Sequence, residues 1–106
     1  MYNTKLLNTT IEKVEERLRL GKAQRLSIDL DTGTNYEVII LPLGEDWEEI
    51  RMTGTNSNYY MIAIVGIGCY AFKLQNQLDA GYFATKINMP FEDAVALTKF
   101  LNTINI

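Results

Sequence analysis

Histidine is absent from this sequence of 106 residues, and its absence narrows the possible chemistry. Histidine is the commonest general base and metal ligand near neutral pH, so most acid–base, nucleophilic and zinc sites are disfavoured. The single cysteine, Cys69, has no partner for an internal disulfide and no histidine to activate it as a nucleophile. Its apolar neighbours predict a small buried side chain. We therefore expect neither catalysis nor a bound cofactor or metal.

The sequence also lacks a membrane-spanning segment. Its main apolar stretch runs from Tyr59 to Phe72, whereas a transmembrane helix needs about 20 consecutive apolar residues. Gly66 and Gly68 interrupt that stretch. Residues 1–5 lead into no apolar signal core. We therefore expect a cytoplasmic protein without membrane contact.

The apolar stretch predicts the centre of a β-sheet. Apolar residues occupy both parities of Tyr59 to Val65, as in a strand that is covered on two faces. The following Gly66–Gly68 segment predicts a tight turn, a bulge or a close backbone approach. A phosphate-binding loop is the weaker alternative, because the segment has no third glycine and no lysine. With 47% apolar and 22% charged residues, the chain is expected to form one globular domain over residues 1–106.

Two helices are predicted, one near each end of the chain. Thr9 and Glu12 form a capping box, and Gly21 ends the helix that follows. Pro90 suits the first turn of the second helix. Both helices are expected to pack an apolar stripe on the sheet. The stripes are Ile11, Val14 and Leu18 in the first helix, and Ala94, Leu97, Leu101 and Ile104 in the second.

The first hairpin is predicted from alternating apolar and polar residues. A loop over residues 32–34 pairs Leu30 with Tyr36 and places both on the buried face. The same register sets Asp29 directly opposite Glu37. Like charges across a ladder are destabilising, and a residue that costs stability is a candidate for function. This rim of the sheet is therefore a candidate binding surface.

The other predicted strands complete a meander. Residues 47–53 are predicted to pair with Tyr59 to Val65, with a short helix capped by Asp46 as the alternative. A last hairpin is predicted between residues 70–78 and 83–88. The predicted fold is thus α+β, with an N-terminal helix, a meander-like antiparallel sheet of five to six strands, and a C-terminal helix packed on the sheet.

Charge is segregated along the chain. Residues 26–50 contain seven acids and no base, whereas residues 1–25 contain six bases and three acids. The net charge of −3 disfavours direct binding to nucleic acid. An acidic block complements a basic protein surface, and a tryptophan within it would serve as an anchor. The predicted partner-binding residues are Asp29, Asp31, Glu37, Glu45, Asp46, Trp47, Glu48 and Glu49.

Two other interpretations of these acids are open. Asp29, Asp31, Asn35 and Glu37 would supply oxygen ligands to a hard cation, but their spacing does not fit a calcium loop, and an ordinary turn is favoured. A pair of carboxylates such as Glu37 with Glu48 would allow acid–base hydrolysis only in a concave site that raises the pKa of one of them.

These features predict a small, acidic, non-catalytic protein-binding module that occupies a basic surface on a larger partner. In size, acidity, α+β plan and lack of catalytic residues, the chain is similar to small phage or mobile-element inhibitors of host nucleases, including anti-CRISPR proteins. That likeness implies an inhibitor of a nucleic-acid-handling enzyme. One alternative is a toxin immunity protein, because the chain is similar to such proteins in the same features. The other is a homodimeric module that binds a small ligand near Gly66 to Gly68.

Overall fold

The computed structural model describes residues 3–43, 59–74 and 78–105. Within these ranges, one antiparallel sheet contains five strands in the order in which they follow along the chain. The strands are β1 (Lys5–Leu6), β2 (Gln24–Asp29), β3 (Asn35–Pro42), β4 (Tyr59–Ile64) and β5 (Gly68–Lys73). The helices are α1 (Ile11–Arg19), α2 (Ala80–Lys86) and α3 (Phe91–Leu101).

The predicted α+β meander is therefore confirmed, with an N-terminal helix and C-terminal helices packed on the sheet. Among the helices of the described ranges, none is long and apolar enough to cross a membrane.

The core lies between one face of the sheet and the helices. Every second side chain of β2 and β4 is buried, because side chains alternate along a strand, and Ile40 of β3 and its neighbour Ile62 are both 0% exposed. The stripe predicted for the C-terminal helix is buried, but its last member, Ile104, lies beyond the end of α3, and the stripe of the N-terminal helix is confirmed except for Ile11, which is partly buried. The buried members are Val14, Leu18, Ala94, Leu97, Leu101 and Ile104.

The opposite, outer face of the sheet is covered less completely. In β4 the buried side chains alternate with the partly exposed Tyr59, Met61 and Ala63, so the prediction of a strand covered on two faces holds fully for one face and only in part for the other. Both backbone edges of β4 are paired, one with β3 and one with β5. The predicted pairing of β4 with residues 47–53 is therefore wrong, and those residues themselves lie outside the described ranges.

The β2–β3 hairpin has a register two residues away from the predicted one. The Leu30 N–H donates to the Thr34 carbonyl at 2.8 Å, and Gly33 ends the loop with a φ of 93°. Glycine accepts this left-handed conformation without a Cβ penalty, which favours a loop that closes between Leu30 and Thr34. Tyr36 therefore faces Ile28. Because side chains alternate with a period of two, the shift keeps every apolar residue on its predicted face.

A helix, α2, replaces the second strand of the predicted final hairpin, whereas the first strand is confirmed over residues 70–73 as part of β5. Asp79 caps this helix by accepting a hydrogen bond from the Tyr82 N–H at 2.9 Å. Phe83 and Ile87 lie four residues apart, and both are 0% exposed. A spacing of four places two side chains on one face in a helix and in a strand alike, so this pattern does not separate the two. The capping aspartate is the signal that favours the helix.

The start of α1 also differs by one residue. Thr10, not Thr9, is the N-cap, and its Oγ1 accepts from the Lys13 N–H at 3.3 Å. The Thr9 hydroxyl is buried without a hydrogen-bond partner. At the other end, Gly21 follows the helix with a φ of 78°, as its predicted role in ending the helix requires.

The glycine segment between β4 and β5 is a hairpin turn, which was one of its three predicted forms. The Ile67 N–H donates to the Ile64 carbonyl at 3.0 Å, and Gly66 has a φ of 83°. Cys69 follows the turn and is exposed, so the prediction that it is buried is wrong. Its side chain lies on the outer face of the sheet, opposite Ala63.

Candidate functional site

The structure describes three of the eight predicted partner-binding residues, all in the β2–β3 hairpin. Glu37 forms an ion pair with Arg25 at 3.1 Å. Asp29 accepts a hydrogen bond from the Asn35 amide at 2.8 Å. The predicted repulsion between Asp29 and Glu37 is therefore wrong, because the observed register sets Asp29 opposite Asn35 and Glu37 opposite Ser27.

Basic side chains offset part of the acidic charge on this rim. Lys5 of β1 lies opposite Asp29 in the sheet, and Arg25 pairs with Glu37. Asp31 is exposed in the loop. The hairpin rim is therefore less acidic than residues 26–50 suggest. The remaining predicted contact residues, Glu45, Asp46, Trp47, Glu48 and Glu49, lie outside the described residues.

Of the two alternative interpretations of these acids, the cation site lies within the described residues and the carboxylate pair does not. Residues 3–43, 59–74 and 78–105 hold no group of three or more acids and cysteines arranged to bind a metal ion. Around Gly33, Asp29 instead accepts from Asn35, as in an ordinary solvated turn. The carboxylate pair Glu37 with Glu48 is not described, because Glu48 lies outside these ranges.

A buried carboxylate joins the hairpin to the C-terminal helix. Asp93, in the first turn of α3, is 5% exposed. It accepts hydrogen bonds from the Thr32 hydroxyl at 2.7 Å and from the Tyr36 hydroxyl at 2.5 Å. The positive end of the helix dipole also favours a negative charge there. The sequence marks Asp93 only as a first-turn acid, because its two partners come from a distant hairpin.

The tyrosine of this cluster holds its proton more tightly than usual. Burial of the phenol, the hydrogen bond to Asp93 and the negative charge of Asp93 together raise the pKa of Tyr36 to about 12. A nucleophilic or basic tyrosine needs the opposite shift, towards the tyrosinate. The cluster is therefore built as a structural clamp between β3 and α3.

We expect the contribution of Tyr36 to stability to disappear at high pH. The folded pKa lies above the ordinary value of 10.0, so the contribution is complete below pH 10 and is lost as pH rises towards about 12. Near neutral pH, Tyr36→Phe should lower the free energy of unfolding by about 1–3 kcal/mol, because a hydrogen bond to a charged group is lost. Urea unfolding of both proteins at about pH 8 and about pH 11 measures this, and a gap that stays constant would contradict it.

A cleft lies beside β5, at the end of the sheet away from the acidic hairpin. It has a volume of about 310 Å³ and is open to solvent. One wall is the second half of β5, and the other is the chain that leads into α2. Its lining residues are Tyr59, Tyr70, Ala71, Phe72, Lys73, Leu78, Asp79 and Tyr82. Aromatic rings are thus concentrated at the edge of the sheet.

The aromatic rings of the cleft pack against one another edge to face. The centroid of Tyr82 lies 6.4 Å from that of Tyr70 and 6.0 Å from that of Phe72. Phe72 stacks in turn on the buried Phe83, with 4.8 Å between centroids. Such pairs add stabilisation beyond the burial of area, so the rings have a defined arrangement. Tyr82 is nevertheless 50% exposed, which leaves its ring accessible from the cleft.

Two lysines contact the aromatic rings of this cleft, and one of them, Lys73, lines it. The Lys86 ammonium lies 5.0 Å from the ring centroid of Tyr70 and 5.3 Å from that of Tyr82. The Lys73 ammonium lies 6.0 Å from the ring of Tyr59, on the outer face of the sheet. Cation–π contacts hold a lysine near a ring while its ammonium keeps contact with solvent. The cleft therefore offers both apolar surface and sites for carboxylates.

Hydrogen bonds fix the wall of the cleft that lies opposite β5. The Asn102 side chain accepts from the Leu78 N–H at 2.9 Å and donates to the Leu78 carbonyl at 3.0 Å. The next residue, Asp79, caps α2. Leu78 is 8% exposed, so its side chain belongs to the core. The approach to α2 is thus tied to the C-terminal helix.

The predicted ligand site near Gly66 to Gly68 is at the opposite end of β5. Gly66 and Gly68 are exposed in the hairpin turn, and no heavy atom lies within 4 Å of a Cβ built at either one. These glycines therefore need no close approach to another group. The cleft begins at Tyr70, further along the strand. Sequence reasoning misses it because Tyr82 and Lys86 meet β5 only if residues 80–86 form a helix.

The chain matches no family model, no curated protein and no solved structure. The hairpin rim and the β5 cleft are therefore interpreted from their own geometry and charge.

Proposed function

We propose that this chain is a small, non-catalytic protein-binding module that occupies a basic surface on a larger partner. The segregation of charge carries this proposal, since residues 26–50 contain seven acids and no base. The basic surface we envisage is one built for a nucleic-acid backbone, which makes the chain an inhibitor of a nucleic-acid-handling enzyme, of the kind carried by phages and mobile elements. Like-signed charges in one block raise the rate of encounter with an oppositely charged surface.

Two acids of the block already have partners within this chain. Glu37 is already paired with Arg25, and Asp29 faces Lys5 and Asn35. An exposed ion pair contributes about 1 kcal/mol or less, and a competing partner can replace it. The main attraction is therefore assigned to the acids of residues 45–49, with Asp31 as the exposed acid of the hairpin.

A charge-matched pair of variants tests the proposal. One variant replaces Glu45, Glu48 and Glu49 by Gln. The control replaces three exposed helical acids, Glu12, Glu16 and Glu92, by Gln, so both proteins gain the same net charge. Each is used to isolate complexes from extract of the cell in which the protein acts, and the complexes are identified by native mass spectrometry at low and physiological salt.

We expect a basic protein to be retained by the wild type and the control but lost with the block variant. Raising the salt concentration should weaken the wild-type complex, because charges near a surface are screened within about 8 Å at physiological ionic strength. Equal retention of the partner by both variants would refute the acidic-block proposal. Recovery of a self-dimer or of a bound small molecule would favour the homodimeric ligand-binding alternative, and recovery of a toxin would favour the immunity role.

A further inference from the structure

We propose that the cleft beside β5 binds an extended acidic peptide segment, which adds to the sheet as a sixth strand. This inference is independent of the acidic block, because none of the residues that line the cleft belongs to residues 26–50. The recognised segment would carry carboxylates on one side and aromatic or β-branched residues on the other. Its source is a protein other than this chain.

The first argument is the outward backbone edge of β5. The Val65 N–H donates to the Glu37 carbonyl at 2.9 Å, so the odd-numbered residues of β4 bond to β3. In an antiparallel ladder the direction of the backbone groups alternates, so the even-numbered residues of β4 bond to β5. Their partners in β5 are Gly68, Tyr70 and Phe72. The N–H and C=O groups of the alternate residues, Cys69, Ala71 and Lys73, therefore point away from β4.

No strand in the described ranges pairs with that outward edge, because β5 is the last strand of the sheet. Two of the three outward-pointing residues, Ala71 and Lys73, also line the cleft. Unpaired edges of this kind are templates for a further strand. Peptide-binding domains use the same device, in which main-chain hydrogen bonds hold the ligand and pockets select its side chains.

The second argument is the difference between the two sides of this edge. Tyr70, Phe72 and Tyr82 form an aromatic surface on the side of the helices. Lys73 and Tyr59 lie together on the outer side. A peptide strand added to β5 alternates its side chains between these two sides. The aromatic side suits an apolar residue, and the outer side suits a carboxylate opposite Lys73.

The third argument is charge, which favours an acidic peptide over a second copy of this chain. Lys73 lines the cleft and the Lys86 ammonium lies over the ring of Tyr70, whereas Asp79, the one acid among the described lining residues, is engaged as the cap of α2. Pairing of β5 with another β5 would bring the sequence GCYAFK, which has no acid and contributes a further lysine. Complementary charge across an interface favours the acidic partner.

A short synthetic peptide tests the inference directly. The probe is fluorescein-labelled Glu-Phe-Glu-Val-Glu with its ends blocked, which alternates in the proposed way. Peptides of the same composition in the order Phe-Val-Glu-Glu-Glu, and with Lys in place of Glu, serve as controls. Binding is followed by fluorescence polarisation, and amide hydrogen exchange of the full chain is followed by NMR with and without the probe.

We expect the alternating acidic peptide to bind more tightly than either control and to slow exchange at the amides of Ala71 and Lys73. Ala71→Pro removes one outward-pointing donor, which is tolerated at a sheet edge, and should weaken binding roughly tenfold. Ala71→Thr keeps the N–H and should bind nearly as well as the wild type. Lys73→Glu should weaken binding, whereas the exposed Lys99→Glu, with the same change in net charge, should not.

Equal binding of the three peptides, or slowed exchange elsewhere than along β5, would overturn the inference. If Ala71→Pro fails to fold, the exchange pattern of the wild type still decides the question. Self-association that occurs without peptide and slows exchange at the same amides would also overturn it, because a second copy would then occupy the edge. Loss of the complex made by the acidic block has no bearing on these outcomes.

Discussion

Phe83→Ala is expected to lower the free energy of unfolding by about 3–5 kcal/mol, the largest single-site loss that we predict. Phe83 is 0% exposed and stacks on Phe72, with ring centroids 4.8 Å apart. Removing the ring leaves a cavity where α2 meets β5, and the surrounding core can close it only in part. Urea denaturation followed by circular dichroism measures the loss as a lower midpoint at an unchanged slope.

Tyr82→Ala is the matched control for this prediction. It removes an aromatic ring from the adjacent residue of the same helix, but Tyr82 is 50% exposed. Less apolar area leaves water there on folding, so the loss should be about 1 kcal/mol or less. Similar losses at Phe83 and Tyr82 would mean that residues 80–86 do not present Phe83 to the core. The same two variants separate the stability of α2 from the aromatic surface of the cleft.

Ile62→Ala is expected to cost about 2–5 kcal/mol, the second largest effect. Ile62 is 0% exposed, lies in the middle of β4, and pairs with Ile40 on one side and Tyr70 on the other. Three strands therefore surround the site, which limits how far the core can collapse around the smaller side chain. The measurement is again the free energy of unfolding from urea denaturation.

Ile67→Ala makes the same chemical change at an exposed position. Ile67 lies in the β4–β5 turn and is 39% exposed, so its loss should be about 1 kcal/mol or less. A loss at Ile62 no greater than that at Ile67 would show that the Ile62 side chain does not face the core. Because the two variants remove identical atoms, differences in the unfolded chains largely cancel.

The described acids of the hairpin and the β5 cleft lie towards opposite edges of one sheet. Asp29 and Asp31 lie near β1, whereas Lys73 lines the cleft and Lys86 lies over the ring of Tyr70. Between them, the sheet and the Asp93 clamp hold the hairpin and the C-terminal helix in fixed positions. The two proposals concern different residues, so each can be tested without altering the other.

Local pattern in the sequence was sufficient for most of the elements and for their buried faces. The stripe of Ala94, Leu97 and Leu101 follows the period of a helix, and the alternation of Leu26 and Ile28 follows that of a strand. These periods depend only on backbone geometry, so each element could be assigned without knowing what it packs against. Gly66 likewise marked a turn, because few other residues accept its positive φ.

Residues 80–86 show where local pattern was not sufficient. Phe83 and Ile87 satisfy a strand and a helix equally, and only the packing of Phe83 on Phe72 and the cap at Asp79 show which one forms. The hairpin register was also ambiguous, because a shift of two residues leaves every side chain on the same face. The contacts of Asp29 and Glu37 depend on that register, and so does the predicted repulsion between them.

The α+β class, the buried faces and the segregation of charge can thus be predicted from the sequence, since each follows from short-range order along the chain. The partners of those charges and the β5 cleft depend instead on how the elements pack together. The clamp of Asp93 on Tyr36 and the approach of Lys86 to Tyr70 join segments that are far apart in sequence. Such contacts form only when the helices close on the sheet, because burial of the apolar faces brings them together.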